Sequence, residues 1–227
     1  MDFSAIKSIT IPEGNVTQIA VGNKVLWKSG PLPSAYQQVE WIRKTTGVNA
    51  YLDLGFAFDT AATMYLHYTQ NTASAYVFGA AESSGKYRCM ITGSSTDVIF
   101  YGSNGSAYIA LSISGGIGEY DLKYELKKGL MRLTNQINGA STSGTTQVAY
   151  TMTRNIYLFA QNYNTAARYD GQMTFYSFQY YDKNNDLICD LIPCYRKSDG
   201  VIGMYDIVRK IFLTNAGSGS FTKGADV

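Results

Sequence analysis

The residues best placed to do chemistry are the acids in the run Glu119-Tyr120-Asp121-Leu122-Lys123-Tyr124-Glu125. Retaining glycoside hydrolysis needs two carboxyl groups about 5.5 Å apart, and a Glu-x-Asp-x-Glu strand can supply them because alternate residues share one face. Glu119 and Asp121 fit the first two positions, but Lys123 occupies the third, and Glu125 lies two residues beyond it. Since no properly spaced acid and nucleophile can be named, we expect a solvated strand, no catalytic residues and no enzyme activity.

Other reaction types have even less support. His67 is the only histidine, and the sequence has no G-x-S-x-G nucleophile elbow. The cysteines, Cys89, Cys189 and Cys194, form no Cys-x-x-Cys pair, whereas a structural zinc needs four Cys or His ligands. Their odd number predicts unpaired thiols in place of a closed disulfide framework. We therefore expect neither a metal nor another cofactor.

Composition narrows the possible partners. The 227-residue chain is 45% hydrophobic and 16% charged, which is enough to bury a full core. Its net charge of +2 comes without a basic block, so nucleic-acid binding is not expected. No signal peptide and no apolar run of about 18 residues is found, so membrane insertion is not expected. Tyrosine is the outlier, with 19 residues, and it suits both half-buried strands and binding surfaces.

Short runs of β-forming residues alternate with turn residues along most of the chain. Examples are residues 50–54, 148–152 and 173–181, and the breaks carry Gly, Asn, Asp and Ser, which tolerate turn conformations. About a dozen such runs without a helical period predict an all-β, two-sheet sandwich over residues 30–227. Residues 1–29 predict a short β-hairpin element, which is either an attachment element or the first strands of the main domain.

Three segments carry a resemblance to a known family. The longest runs from Leu191-Ile192-Pro193-Cys194-Tyr195-Arg196 through Phe221-Thr222-Lys223-Gly224. It resembles the closing segment of concanavalin A-like (laminin-G-like) jelly-roll domains in phage and prophage tail proteins. Residues 32–42 look like the opening strand of that family, and residues 156–162 look like a late core strand. Residues 5–28, which include Ile9-Thr10-Ile11-Pro12-Glu13-Gly14 and Val25-Leu26-Trp27, resemble a short element of phage tail proteins.

The resemblance implies a phage or prophage tail-associated binding protein that recognises a bacterial surface polysaccharide or receptor. Its place would be the virion tail, after synthesis in the cytoplasm of the bacterial host. Other phage tail proteins, and a second copy of the chain in a homo-oligomer, are further expected partners. The alternatives are a structural virion or baseplate module and, less favoured, a glycan depolymerase. A rim calcium is possible in this fold but is not supported by the spacing of Asp53, Asp59, Asp170, Asp182, Asp186 and Asp199.

Sugar recognition needs aromatic faces for stacking and fixed polar groups for hydroxyls. Two loops offer both, and they give the predicted ligand-binding residues: Tyr101, Asn104 and Tyr108 in the first, and Asn162, Tyr163, Asn164 and Arg168 in the second. Ordinary turn chemistry is the alternative explanation for these Asn-rich loops. The closing segment, in contrast, is rich in apolar residues and is predicted to seal the sandwich.

Overall fold

The structure is a computed structural model. It describes residues 18–21, 24–28, 32–45, 48–59, 61–81, 88–103, 108–127, 129–145, 152–164, 166–168 and 171–227. Within these ranges the chain contains strands and turns and no helix, which confirms the predicted all-β class. The predicted strand at 148–152 lies mostly outside the described ranges.

The strands, in chain order, are β1 (Gln18–Val21), β2 (Lys24–Lys28), β3 (Tyr36–Gln38), β4 (Ile42–Lys44), β5 (Leu52–Ala57), β6 (Ala62–Gln70), β7 (Ala75–Ala81), β8 (Arg88–Gly93), β9 (Asp97–Ser103), β10 (Tyr108–Ser114), β11 (Gly118–Lys127), β12 (Leu130–Asn135), β13 (Ser141–Gly144), β14 (Asn155–Leu158), β15 (Gln161–Tyr163), β16 (Ala166–Arg168), β17 (Met173–Tyr181), β18 (Leu187–Arg196), β19 (Ile202–Asp206), β20 (Ile211–Thr214) and β21 (Thr222–Lys223).

Two large sheets form the body of the structure. The described strands of the smaller sheet follow the order β10-β9-β8-β7-β14-β5. In addition, β15 pairs with β7, and β16 pairs with β15. Those of the larger sheet follow the order β13-β12-β11-β6-β17-β18-β19-β20. In addition, β3 pairs with β18, and β4 pairs with β17 and β21. The two inner faces bury one continuous apolar core in which aromatic residues are prominent, as expected of a sandwich. Tyr68, Tyr124 and Tyr180 are fully buried in it.

Strands β1 and β2 pair antiparallel and form a separate two-stranded sheet, as the sequence predicts. No pairing between this hairpin and either large sheet is seen in the described part of the chain. Its proposed role in attachment remains a prediction.

The opening segment forms strands and not a helix. A turn at residues 34–35 leads into β3, which pairs with β18, and β4 then pairs with β17 and β21. The predicted extended conformation is therefore correct, although the segment is divided into two short strands.

The late core strand predicted at residues 156–162 requires a correction. The chain reverses at Phe159, whose φ is 65°, so β14 runs antiparallel to β7 and β15 runs parallel to it. Phe159 N–H donates to the carbonyl of Val77 at 2.9 Å, and its own carbonyl accepts from the buried Lys44 Nζ at 3.0 Å. These two bonds hold a conformation that is unfavourable for a residue with a side chain.

The closing segment is part of the core. Phe221 packs against Phe159 with ring centroids 4.7 Å apart, and it is 5% exposed. Asn215 accepts the Tyr51 N–H at 3.0 Å and donates to the carbonyls of Gly217 and Gly219. The C-terminal residues thus bind strands of both large sheets, in agreement with their predicted structural role.

Candidate functional site

The outer face of the smaller sheet carries a groove of about 270 Å³. Its lining combines three tyrosines with polar side chains and one cation, and consists of Ser74, Ala75, Tyr76, Thr92, Gly93, Ser94, Ile99, Tyr101, Gln161, Tyr163 and Arg168. Because an aromatic wall and several hydrogen-bonding groups meet in one concave surface, this groove is the candidate binding site.

Strand register brings the first wall of the groove together. Tyr76 on β7 lies opposite Thr92 on β8, and Thr92 lies opposite Ile99 on β9. Paired residues share a face of the sheet, and Tyr101 is on the same face because it lies two residues beyond Ile99. A register shift between Tyr76 and Phe78 changes the alternation there, so both Val77 and Phe78 are buried in the core while Tyr76 lines the groove.

The second wall comes from the β15–β16 hairpin. Tyr163 lies at the end of β15, beside Ala81 of β7, and Arg168 lies at the end of β16. The guanidinium carbon of Arg168 sits 3.6 Å from the centre of the Tyr163 ring. This contact holds a positive charge over an aromatic face, at the edge of the groove.

A buried glutamine fixes two turns at the rim. Gln70 belongs to β6 of the opposite sheet and is fully buried. Its amide donates to the carbonyl of Thr72 at 3.0 Å and to that of Ser94 at 2.8 Å. Gly93 leaves the room for it, since a Cβ there would lie 1.6 Å from the Gln70 amide oxygen. One side chain therefore positions the turns before β7 and after β8.

Further bonds hold the Thr72 turn from its other side. The Thr72 hydroxyl donates to the Ser74 carbonyl at 3.0 Å and accepts the Gln172 N–H at 2.8 Å. Gly171 has a φ of 75°, and a Cβ there would meet the Ser74 carbonyl at 2.0 Å. Only glycine therefore allows this close approach. The rim is consequently fixed before any ligand binds, which lowers the entropic cost of binding.

The structure brings together three of the seven predicted ligand-binding residues, since Tyr101, Tyr163 and Arg168 all line the groove. Asn162 does not line it. That residue is 4% exposed, and its side-chain amide donates to the carbonyl of Asn155 at 3.0 Å, which is a structural contact. Asn164 is also outside the lining and occupies a turn with a φ of 50°. For Asn164 the turn-chemistry explanation fits the geometry, whereas Asn162 lies within β15.

The other two predicted residues belong to the β9–β10 connection. Asn104 lies outside the described residues. Tyr108 begins β10 opposite Ser103, and its side chain also lies outside the description. A ligand-binding role for either residue remains a prediction.

Sequence reasoning missed Tyr76, Gln161 and the positioning residue Gln70. Tyr76 belongs to an apolar strand and was not distinguishable from core residues by its neighbours. No signal in the sequence distinguishes Gln70, which ends the alternating strand β6.

The acidic face of β11 has the alternation expected from the sequence, with Tyr120, Leu122 and Tyr124 buried and the intervening residues turned outward. Glu119 contacts His67 Nε2 at 2.7 Å, and His67 stacks on Tyr176 with ring centres 4.4 Å apart. This surface thus has a histidine–carboxylate contact that the sequence did not predict.

Glu125, at the other end of this face, is surrounded by cations. Its carboxylate lies 3.2 Å from Lys123 Nζ, 3.8 Å from Lys127 Nζ and 3.9 Å from an Arg132 guanidinium nitrogen. These ion pairs are the contacts that the carboxylate of Glu125 makes on this surface.

The loop acids considered for calcium make ordinary local contacts. Asp182 accepts the N–H groups of Asn184 and Asp186, Asp59 pairs with Lys183, and Asp199 pairs with Arg196. Among the described residues no group of three or more His, Cys, Asp or Glu side chains is arranged to hold a metal ion. Asp170 lies outside the description.

The two described cysteine side chains are buried and unpaired. Burial raises the pKa of Cys194 to about 12, and burial, with Asp206 nearby, raises the pKa of the Cys189 thiol well above its usual range. Both thiols are therefore protonated at neutral pH and poor nucleophiles. Within the described ranges, no helix is long and apolar enough to cross a membrane.

Comparison with solved structures supports the fold. The chain is similar to domains LG4-5 of the mouse laminin alpha1 chain, with a TM-score of 0.51 and 12% identity over 66% of this chain and 43% of that chain. It is also similar to the heptameric SAP-like pentraxin of Limulus polyphemus, with a TM-score of 0.51 and 11% identity over 82% of this chain and 95% of that one. The match to the laminin structure thus spans less than half of that chain.

These two similarities confirm the predicted concanavalin A-like jelly-roll sandwich and define the class of protein by its fold. At such low sequence identity, these similarities are evidence for the fold alone. No protein-family model matches the sequence, and no curated protein is similar enough in sequence to serve as a relative.

Proposed function

We propose that this chain is a carbohydrate-binding module of a phage or prophage tail protein, and that the groove recognises a bacterial surface polysaccharide. The tail assignment rests on the resemblance of the opening and closing segments, and it places the protein in the virion after synthesis in the host cytoplasm. The observation that carries the binding role is the convergence of Tyr76, Tyr101 and Tyr163 in one groove.

The chemistry of the groove suits a sugar. Saccharide rings present apolar C–H faces that stack on aromatic rings, and hydroxyls that need donors and acceptors nearby. The groove supplies tyrosines together with Ser, Thr, Gln and Arg side chains. Its volume of about 270 Å³ lies just under the range of roughly 300–1,000 Å³ typical of small-molecule sites. A short segment of a longer glycan chain is therefore the expected occupant.

The test is a glycan array with the intact protein, followed by titration of the best ligand against three variants. Y101A and Y163A remove stacking surface and should each weaken binding by about tenfold, or ~1.4 kcal/mol. The matched control is Y181A, which removes a half-buried tyrosine from the larger sheet and should leave affinity unchanged. Saccharide binding that is unaffected by both groove variants would reject the groove as the site.

The alternative is a structural module that binds other tail subunits or a second copy of the chain. The outer face of the larger sheet favours it, because Tyr65 and Tyr181 pack edge to face there at 5.8 Å, near the stacked His67 and Tyr176. Such half-exposed aromatics are common in protein interfaces. No saccharide selectivity on the array, together with subunit association lost in Y181A, would favour this alternative.

We also propose that the protein is not a glycan depolymerase. The outward-facing residues of β11 support this proposal. Lys123 occupies the position of the third acid, and the carboxylate of Glu125 pairs with cations.

A further inference from the structure

We propose that the groove selects an acidic saccharide, with Arg168 binding the carboxylate of a hexuronic acid or a similar sugar acid. This inference rests on the proposed glycan-binding function and specifies the ligand class of the same groove.

The described lining of the groove carries a positive charge. Among the described residues that line the groove, Arg168 is the one charged group, and none of them is Asp or Glu. The acid nearest in sequence to the Ser94 rim, Asp97, accepts a hydrogen bond from the Thr96 hydroxyl at 2.6 Å and does not line the groove. A bound anion would therefore meet a cation, and no carboxylate among the described lining residues would repel it.

The position of Arg168 also favours an anionic ligand. Its guanidinium carbon lies over the Tyr163 ring, 3.6 Å from the ring centre. Stacking uses the face of the guanidinium and leaves its N–H donors, which point outward in the plane, available for a ligand. No ion pair between described residues involves Arg168, whereas its counterparts Arg196 and Arg209 both pair with aspartates.

The shape of the donor set favours a carboxylate. A guanidinium presents two parallel N–H groups that match the two oxygens of a planar carboxylate. The adjoining tyrosines would stack on the sugar ring that bears this carboxylate, so one residue of the glycan would satisfy both contacts. A neutral glycan would leave the arginine charge partly desolvated and unpaired, at a cost to affinity.

The experiment compares a hexuronic-acid oligosaccharide with the same oligosaccharide after reduction of its carboxyl groups to alcohols. Titration with the unmodified protein should show at least tenfold tighter binding of the acidic form. R168Q should remove this preference, so that the acidic and the reduced forms bind with similar affinity. R168K, which keeps the charge but loses the fork, should fall between the two. K197Q is the control, because it removes one positive charge at an exposed turn outside the groove.

Each outcome separates the two proposals. If both forms bind equally and Y101A weakens both, the acid preference is wrong and the glycan-binding groove stands. If neither Y101A nor Y163A changes the binding of either form, the groove itself is not the site and both proposals fail. Tighter binding of a glycerol phosphate polymer, lost in R168Q, would overturn the carboxylate assignment in favour of phosphate.

Discussion

Two Asp–Arg pairs of the closing segment offer a direct test of how this fold is held together. Both have i,i+3 spacing, but the Asp206–Arg209 pair has side-chain exposures of 0% and 25%, whereas the Arg196–Asp199 pair has 42% and 40% for Asp and Arg. Arg209 also donates to the Leu54 carbonyl and lies 4.8 Å from the centre of the Phe56 ring. The buried pair therefore joins the closing hairpin to β5 of the opposite sheet.

Replacing Arg209 with Met should be strongly destabilising, because it leaves the Asp206 carboxylate buried without its cation. Breaking a buried pair in this way costs about 3–5 kcal/mol. For a domain of this size that corresponds to a fall in melting temperature of about 6–20 °C. The matched variant R196M breaks the exposed pair and should leave the melting temperature within experimental error, since solvent screens such pairs.

A double variant distinguishes charge burial from simple loss of packing. Asp206 Oδ1 accepts the N–H groups of Val208 at 2.9 Å and Arg209 at 3.1 Å. Asn at position 206 can keep these acceptor contacts while removing the unpaired charge. D206N/R209M should therefore be more stable than R209M alone in thermal and urea unfolding. Additive losses, or an R209M variant that melts like the parent protein, would refute this reasoning.

Four further results are expected. Cys189 and Cys194 should resist alkylation in the folded protein and react on unfolding, because burial raises the pKa of both thiols; peptide mass spectrometry showing rapid native labelling would contradict this. The parent protein is expected to release no reducing ends from host polysaccharide, and E119Q should give the same result. Removal of residues 213–227 should lower solubility and the melting temperature, because it exposes sheet edges and deletes Phe221 from the core. G93A should weaken glycan binding by displacing the amide that fixes both rim turns; unchanged affinity would show that the rim is not preorganised by this contact.

Strand identity was the part of the fold that the sequence predicted best. The run 173–181 coincides with β17, and the alternation of Tyr120, Leu122 and Tyr124 with outward acids is present in β11. Strand β11 follows the period of two that a half-buried strand imposes, so the local pattern is sufficient there. The closing segment was also placed correctly, because its apolar residues are dense and close together.

The faces of β17 could not be predicted by counting residues. Strict alternation puts positions 173, 175, 177, 179 and 181 on one side, but the register with β6 shifts between Phe175 and Ser177. As a result Phe175 and Phe178 are both in the core, and Gln179 and Tyr181 are outside it. A bulge is one extra residue that leaves no reliable mark in composition, so every position beyond it changes side.

The groove was predictable only in part because its second wall depends on the reversal at Phe159. Turns with positive φ are usually marked by Gly, Asn or Asp, and phenylalanine gives no such signal. The conformation is imposed by distant partners, since Lys44 and Val77 bind the two ends of the residue while Phe221 packs against its ring. Without that reversal β15 would continue antiparallel to β7, and Tyr163 would not end beside Ala81. Tyr101 and Tyr163 could therefore be recognised as candidates from the sequence, but their meeting with Tyr76 in one groove is a property of the tertiary structure.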